Sequence, residues 1–205
     1  MHEQLYLPDI PQPLARTDHL FLAIFPDDNA AGLLAQLAGQ LRAMHGLGNK
    51  QLATDRFHVS LHSLGTYSGV SKIVVHTASK AAAAVAASTL PFKVKFDRVG
   101  SFAGNPDNRP FVLRDGGDNA ALIEFRRRLG AELGKHGFRY RHDSSFTPHV
   151  TLLYSERSIA EESIDAVGWM VNEFVLVHSL AGKAHYVPLA RWTLHGQTGV
   201  GRKSV

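Results

Sequence analysis

The chain has 205 residues, 44% of them hydrophobic and 20% charged, with a formal net charge of +4. That is enough for one sizeable domain or two small lobes sharing a core, and it excludes collagen-like and disordered compositions. Cysteine is absent, which excludes a disulfide framework and thiolate chemistry and suits a reducing, cytoplasmic setting; no apolar run has the roughly 20 residues needed to cross a bilayer.

Residues 1–18, with Pro8, Pro11 and Pro13, read as a surface arm with no signal-peptide pattern. His19 to Pro26, carrying Phe21, Ile24 and Phe25, reads as a buried strand. Asp27, Asp28 and Asn29 then offer an N-cap to a helix whose inner stripe is Ala30, Leu33, Leu34, Leu37 and Leu41, ended by Gly46 and Gly48. A strand is expected around Phe57 to Leu64. Gly65 and Gly69 mark a turn, and an alanine-rich helix follows from Ser71 to about Ser88.

Leu90 to Val99 alternates Phe92, Val94 and Phe96 with Lys93, Lys95 and Asp97, the pattern of a strand with one wet face. Gly104 to Pro110 is dense in turn residues, and Phe111 to Arg114 is a short strand. Asp118 is expected to cap a helix with Leu122, Phe125, Leu129 and Leu133 inside and Arg126, Arg127 and Arg128 outside, ended by Gly137. A basic cluster, Arg139 to His142, precedes the strand that carries His149. Strands at Glu173 to Leu180 and His185 to Leu194 meet around Gly182, and Gly196 to Val205 reads as a loose tail.

This order predicts an α+β fold. Residues 19–195 would form one bilobal domain, its two lobes related by a pseudo-twofold, with antiparallel sheets lining a central cleft and helices outside.

One tetrapeptide pattern occurs twice, with Ser in one copy and Thr in the other. His58-Val59-Ser60-Leu61 is matched by His149-Val150-Thr151-Leu152. In a strand, residues i and i+2 share a face, so each copy pairs an imidazole with a hydroxyl beside a core of valine and leucine. A single such pair is commonly an exposed strand histidine. Two copies in segments of the same strand character point instead to two halves of an acid–base site. The same alternation puts His62 on the face of His58. On a helix that spacing can hold zinc, but along a strand the two are about 13 Å apart, and neither motif contains a carboxylate, so no metal is expected.

With both motifs placed, the chain resembles the two-histidine phosphoesterase superfamily, in particular the RNA 2′,3′-cyclic phosphodiesterases, also called RNA 2′,5′-ligases. Their pattern is His-x-Thr/Ser-Leu once per lobe, the second copy preceded here by Phe146-Thr147-Pro148. Further likeness lies in the strand opened by Leu20-Phe21-Leu22-Ala23-Ile24, in Leu64-Gly65, and in Ser179, Tyr186 and Trp192. The resemblance implies hydrolysis of 2′,3′-cyclic phosphodiesters, on RNA ends or small cyclic nucleotides, to 2′-phosphomonoesters, with RNA 2′,5′ joining on the same residues. His58 would give a proton to the leaving ribose oxygen and His149 would take one from water. Ser60 and Thr151 would hold phosphoryl oxygens, with no metal or other cofactor.

Relatives often have Arg or Lys where His62 stands and Arg where Tyr154 stands. These two residues are therefore expected in substrate binding, with further charge from Arg139, Arg141 or Lys50. A monomer is expected. Two other readings remain at this stage: a phosphodiesterase for another small ester such as 2′,5′-linked nucleotides, and a non-catalytic module that binds RNA ends or nucleotides.

Overall fold

The computed structural model describes residues 18–138, 146–183 and 185–196. Except for Asp18 and Gly196, the arm and tail lie outside the described residues, as does the basic cluster from Arg139 to His142. Asp18 already belongs to the first strand.

The described chain runs β1 (Asp18–Ile24), α1 (Asp28–Met44), β2 (Val59–Tyr67), α2 (Lys72–Ala87), β3 (Phe92–Ser101), β4 (Arg109–Arg114), α3 (Ala120–Lys135), β5 (His149–Ser155), β6 (Glu162–Val171), β7 (Glu173–Ser179) and β8 (Tyr186–Thr193), with a 3₁₀ turn at Thr54–Arg56. Asp27 caps α1, its Oδ1 accepting from the Ala30 amide at 2.8 Å, and Ser71 caps α2 through the Val74 amide. At α3 the expected cap is not made. Asn119, not Asp118, stands at the N-cap position, and its amide side chain instead accepts from the Lys95 amide at 2.9 Å and donates to the Lys95 carbonyl at 2.6 Å, tying the helix start to β3. Asp118 takes the Lys95 ammonium.

Two four-stranded antiparallel sheets result, ordered β2-β1-β7-β8 and β5-β4-β3-β6. Each motif strand is an edge, paired to a single neighbour. The lobes are not the two halves of the chain, because the first sheet is completed by the last two strands. Strand β6 is absent from the sequence expectation; Ala166, Val167 and Gly168 interrupt its alternation, and its ladder with β3 slips between Phe96 and Arg98.

A continuous core spans both lobes. It holds Leu20, Leu22 and Ile24 of β1, Phe96 of β3, Phe111 of β4, Phe125 of α3 and Phe174 of β7. The opposite face of the first sheet carries a smaller apolar group, Phe21, Ala23, Val175 and Val177. That face turns toward the cleft.

Phe111 is fully buried and Trp192 packs on Phe174, so both serve the core. Of the three consecutive arginines of α3, Arg127 is exposed as expected, while Arg126 and Arg128 are half-buried. Arg126 folds back onto β2, Arg127 pairs with Glu124, and Arg128 donates to Ser88 at the C-cap of α2. Among the described residues no helix is long and apolar enough to cross a membrane.

Candidate active site

Motif one begins where the 3₁₀ turn hands the chain to β2. Phe57 is fully buried and anchors the junction, while His58 turns the other way. The His58 ring donates from Nδ1 to the Arg56 carbonyl at 2.8 Å. A carbonyl can only accept, so the neutral ring carries its proton on Nδ1, and Nε2 is left as an acceptor 3.1 Å from the Ser60 hydroxyl.

Motif two repeats the device. His149 donates from Nδ1 to the Thr147 carbonyl at 2.8 Å, again two residues upstream. Both rings are thus fixed in one tautomer by their own main chain, and in both Nε2 is the nitrogen left for chemistry.

The motifs meet. His58, Ser60, His149 and Thr151 line one cleft of about 330 Å³, together with Tyr154. Aromatic side chains brace the two rings. Phe21 and Tyr186 each lie 5.3 Å from the His58 ring, and Phe102 lies 4.8 Å from that of His149.

Burial pushes His58 down to about 4, against the opposing pull of the Arg56 carbonyl; the charges of Arg56 and His149 add to the depression. Burial lowers His149 as well, with the Arg114 charge adding and the Thr147 carbonyl opposing. In the protein by itself both imidazoles are therefore neutral at neutral pH.

His62 is not in the cleft. Leu22 pairs with His62 but Ala23 pairs with Ser60, so β2 carries a bulge with Leu61 as the extra residue. Directly opposed residues share a face, and Leu22 is a core residue whereas Ala23 faces the cleft. The expected alternation is broken, and His62 turns to α3, where its Nε2 donates to the Arg126 carbonyl at 2.8 Å. Ser63, opposite Phe21, takes the cleft side instead.

A matching bulge does the reverse in β5. Val112 pairs with Thr151 and Phe111 with Leu153, leaving Leu152 extra. Strict alternation would turn Tyr154 away from His149; the bulge brings it into the cleft. Burial raises the Tyr154 hydroxyl pKa, with Tyr186 adding and Arg56 opposing, so it stands ready as a neutral donor.

Two polar cleft residues escaped sequence reasoning. Arg56 lies between the lobes, donating from Nη2 to the Tyr186 hydroxyl at 3.1 Å with its guanidinium 4.0 Å from that ring's centroid. Its Nε is buried without a hydrogen-bond partner. Arg56 supplies the cationic charge expected from elsewhere; its place two residues before His58 was the available signal. His19, the other, shares its strand face with Phe21, stacks on it at 5.3 Å, and has Nε2 2.8 Å from the Ser63 hydroxyl. Lys50 does not line the cleft. Among the described residues, no group of three or more His, Asp or Glu is placed to hold a metal ion.

The sequence profile of the 2′-5′ RNA ligase superfamily matches residues 25–183. The chain belongs to that superfamily. Solved structures share its architecture. TT0787 of Thermus thermophilus superposes with a TM-score of 0.70 at 20% identity, over 87% of this chain and 99% of that one. E. coli LigT in apo form gives 0.70 at 22% identity, over 87% and 98%. E. coli LigT complexed with 3′-AMP gives 0.65 at 24% identity, over 87% and 98%. At these identities the likeness is one of fold. No curated protein sequence matches the chain. In this member of the 2′-5′ RNA ligase superfamily the two sheets are the bilobal frame, and the cleft between the motif histidines is where its chemistry is to be sought.

Proposed function

We propose that the protein opens 2′,3′-cyclic phosphodiesters, at RNA ends or on small nucleotides, to 2′-phosphomonoesters. The observation that carries this reading is the pair of Nδ1-anchored imidazoles lining a single cleft with a hydroxyl beside each. Superfamily membership and a LigT structure complexed with 3′-AMP support it further.

Opening the ring requires a water oxygen to form a bond to phosphorus while the P–O3′ bond breaks on the opposite side. The water proton goes to Nε2 of His149, and the proton on Nε2 of His58 goes to O3′. Ser60, Thr151 and Tyr154 donate hydrogen bonds to the phosphoryl oxygens, and Arg56 provides the fixed positive charge. A 5′-hydroxyl in place of water would give a 2′,5′ linkage by the same proton transfers.

His58 must start protonated, which its burial opposes. An anionic phosphodiester placed between the rings reverses this, because an opposite charge within a few ångströms favours the imidazolium. Substrate thus assembles its own acid.

The direct test is incubation with a 2′,3′-cyclic nucleotide in EDTA, with product read by phosphorus NMR. Turnover to the 2′-phosphomonoester, lost in His58→Ala and in His149→Ala, is expected. Unchanged turnover in either variant removes that histidine from the mechanism. Binding without turnover across cyclic esters would leave a nucleotide-binding module.

A further inference from the structure

A second cavity, of about 590 Å³, adjoins the two-histidine cleft, and Tyr186 lines both. Its volume lies within the range of small-ligand sites, about 300–1,000 Å³. The floor is apolar: Val175 and Val177 of β7 and Pro188 of β8, with Phe25 alongside. The Phe25 ring is 5.8 Å from the His58 ring, and the Tyr186 ring is 5.3 Å from it, so the cavity begins one ring away from the proposed phosphate position.

Its charged lining is unlike that of the cleft. Asp27, Asp28, Asp55 and Glu173 contribute four carboxylates, and the sole cation among the described lining residues, Arg191, is ion-paired with Glu173. A second phosphate would be repelled there. A flat, neutral ring with N–H groups on its edge would not: the apolar floor takes its face and the carboxylates accept from its edge, the pairing by which acidic side chains read amino groups on bases.

We propose that this cavity is a base subsite, which takes the nucleobase of the nucleotide whose phosphate lies between His58 and His149 and favours bases with exocyclic amino groups. The inference rests on the phosphodiesterase reading for the position of the phosphate. Guanine, adenine and cytosine offer such groups; uracil offers carbonyl oxygens in their place.

The experiment compares 2′,3′-cyclic GMP, AMP, CMP and UMP with ribose 2,3-cyclic phosphate, which has no base. In the unmodified protein the KM of the base-free ester should exceed that of cyclic GMP by about tenfold, and cyclic UMP should be the weakest nucleotide by about fivefold. Pro188→Trp, at an exposed edge-strand position, should fill the cavity and raise KM for the nucleotides while leaving the base-free ester unchanged. Asp55→Asn, on the exposed 3₁₀ turn, should narrow the discrimination against uracil without disturbing packing. Equal KM for base-bearing and base-free esters overturns the subsite, as do nucleotide KM values unmoved in Pro188→Trp; equal KM across the four bases overturns the amino-group preference.

Calorimetric titration of His149→Ala with guanosine 2′-monophosphate and ribose 2-phosphate separates the two proposals. Base-dependent binding, with no turnover by the unmodified protein, retains the subsite and removes the catalytic reading. Turnover with no dependence on the base does the opposite.

Discussion

His62 and Arg126 clasp one another across the sheet-to-helix interface: the His62 ring donates to the Arg126 carbonyl at 2.8 Å, and Arg126 Nε donates to the Leu61 carbonyl at 3.0 Å. Leu61 is the extra residue of the β2 bulge, so the clasp holds the irregularity that decides which side chains of motif one reach the cleft. The Arg126 guanidinium is also stacked 3.9 Å from the ring of Phe146, just ahead of motif two. One arginine of α3 therefore touches the approach to both motifs.

Removing the His62 ring should cost stability before substrate binding. His62→Ala is expected to lose about 1–3 kcal/mol, the range for breaking a buried hydrogen bond, as read by urea denaturation. A large rise in KM with unchanged stability would instead mean that His62 contacts substrate.

Acid lability should carry the mark of the same residue. Burial holds His62 at about 4 in the folded protein, against an ordinary value of 6.5, with the Arg126 charge adding to the depression. The folded state binds fewer protons than the unfolded chain between these limits. Stability is therefore whole above pH 6.5 and is lost progressively as pH falls toward 4. His58 contributes in the same window. In His62→Gln the slope of unfolding free energy against pH should fall by about one proton across it; an unchanged slope would contradict the assignment.

Activity should respond to pH differently in its two kinetic parameters. Burial depresses both motif histidines, so kcat/KM, which reports the free protein, should be greatest below pH 6.5 and fall as pH rises. Bound anionic ester raises both, which moves the alkaline limb of kcat to higher pH. A kcat/KM optimum above pH 7 would show that at least one of the two imidazoles is not held neutral as described.

The two histidines can be told apart by the leaving group. With a cyclic ester carrying sulfur at the 3′ bridging position, the departing thiolate needs no proton. Loss of a general acid costs about 10²–10⁴-fold with oxygen and far less with sulfur. Activity in His58→Ala should be restored by the sulfur ester and that in His149→Ala should not. Restoration in the other variant exchanges the roles.

Arg56 is expected to govern affinity for the phosphate. Arg56→Ala should raise KM about 10- to 100-fold, the worth of a hydrogen bond to a charged group. It should also raise the His58 pKa, since the guanidinium is one of the charges holding it down, and so move the alkaline limb of kcat/KM upward. Arg56→Lys keeps the charge but loses the planar stack on Tyr186, and should recover the pH profile more fully than KM. A shift in KM without a shift in the pH profile would place the charge away from His58.

The elements with a strong period were legible in the sequence. The cap at Asp27, the helix that starts at Ser71, the stripe of α3 and the alternation of β3 all appear where their local pattern puts them. Legible too was the repeated His-x-Ser/Thr, because each pair lies within two residues and strand geometry alone puts it on one face. The bulges were harder to see. Leu152 and Leu153 are both fully buried, and two adjacent leucines in an otherwise alternating strand were a hint of the second one. Leu61 followed by His62 gave no such hint, since an apolar–polar pair is what unbroken alternation would show.

By itself, then, the sequence determined the α+β class, the motif pairs and the chemistry they can support, because those follow from residue type and short-range spacing. The tertiary structure decided that the first sheet is closed by the last two strands, that His62 leaves the cleft while Tyr154 enters it, and that Arg56 and His19 belong to the cleft. Strand pairing sets these outcomes: one extra residue in a ladder reverses the face of everything beyond it, and which residue is extra depends on a partner strand distant in the chain.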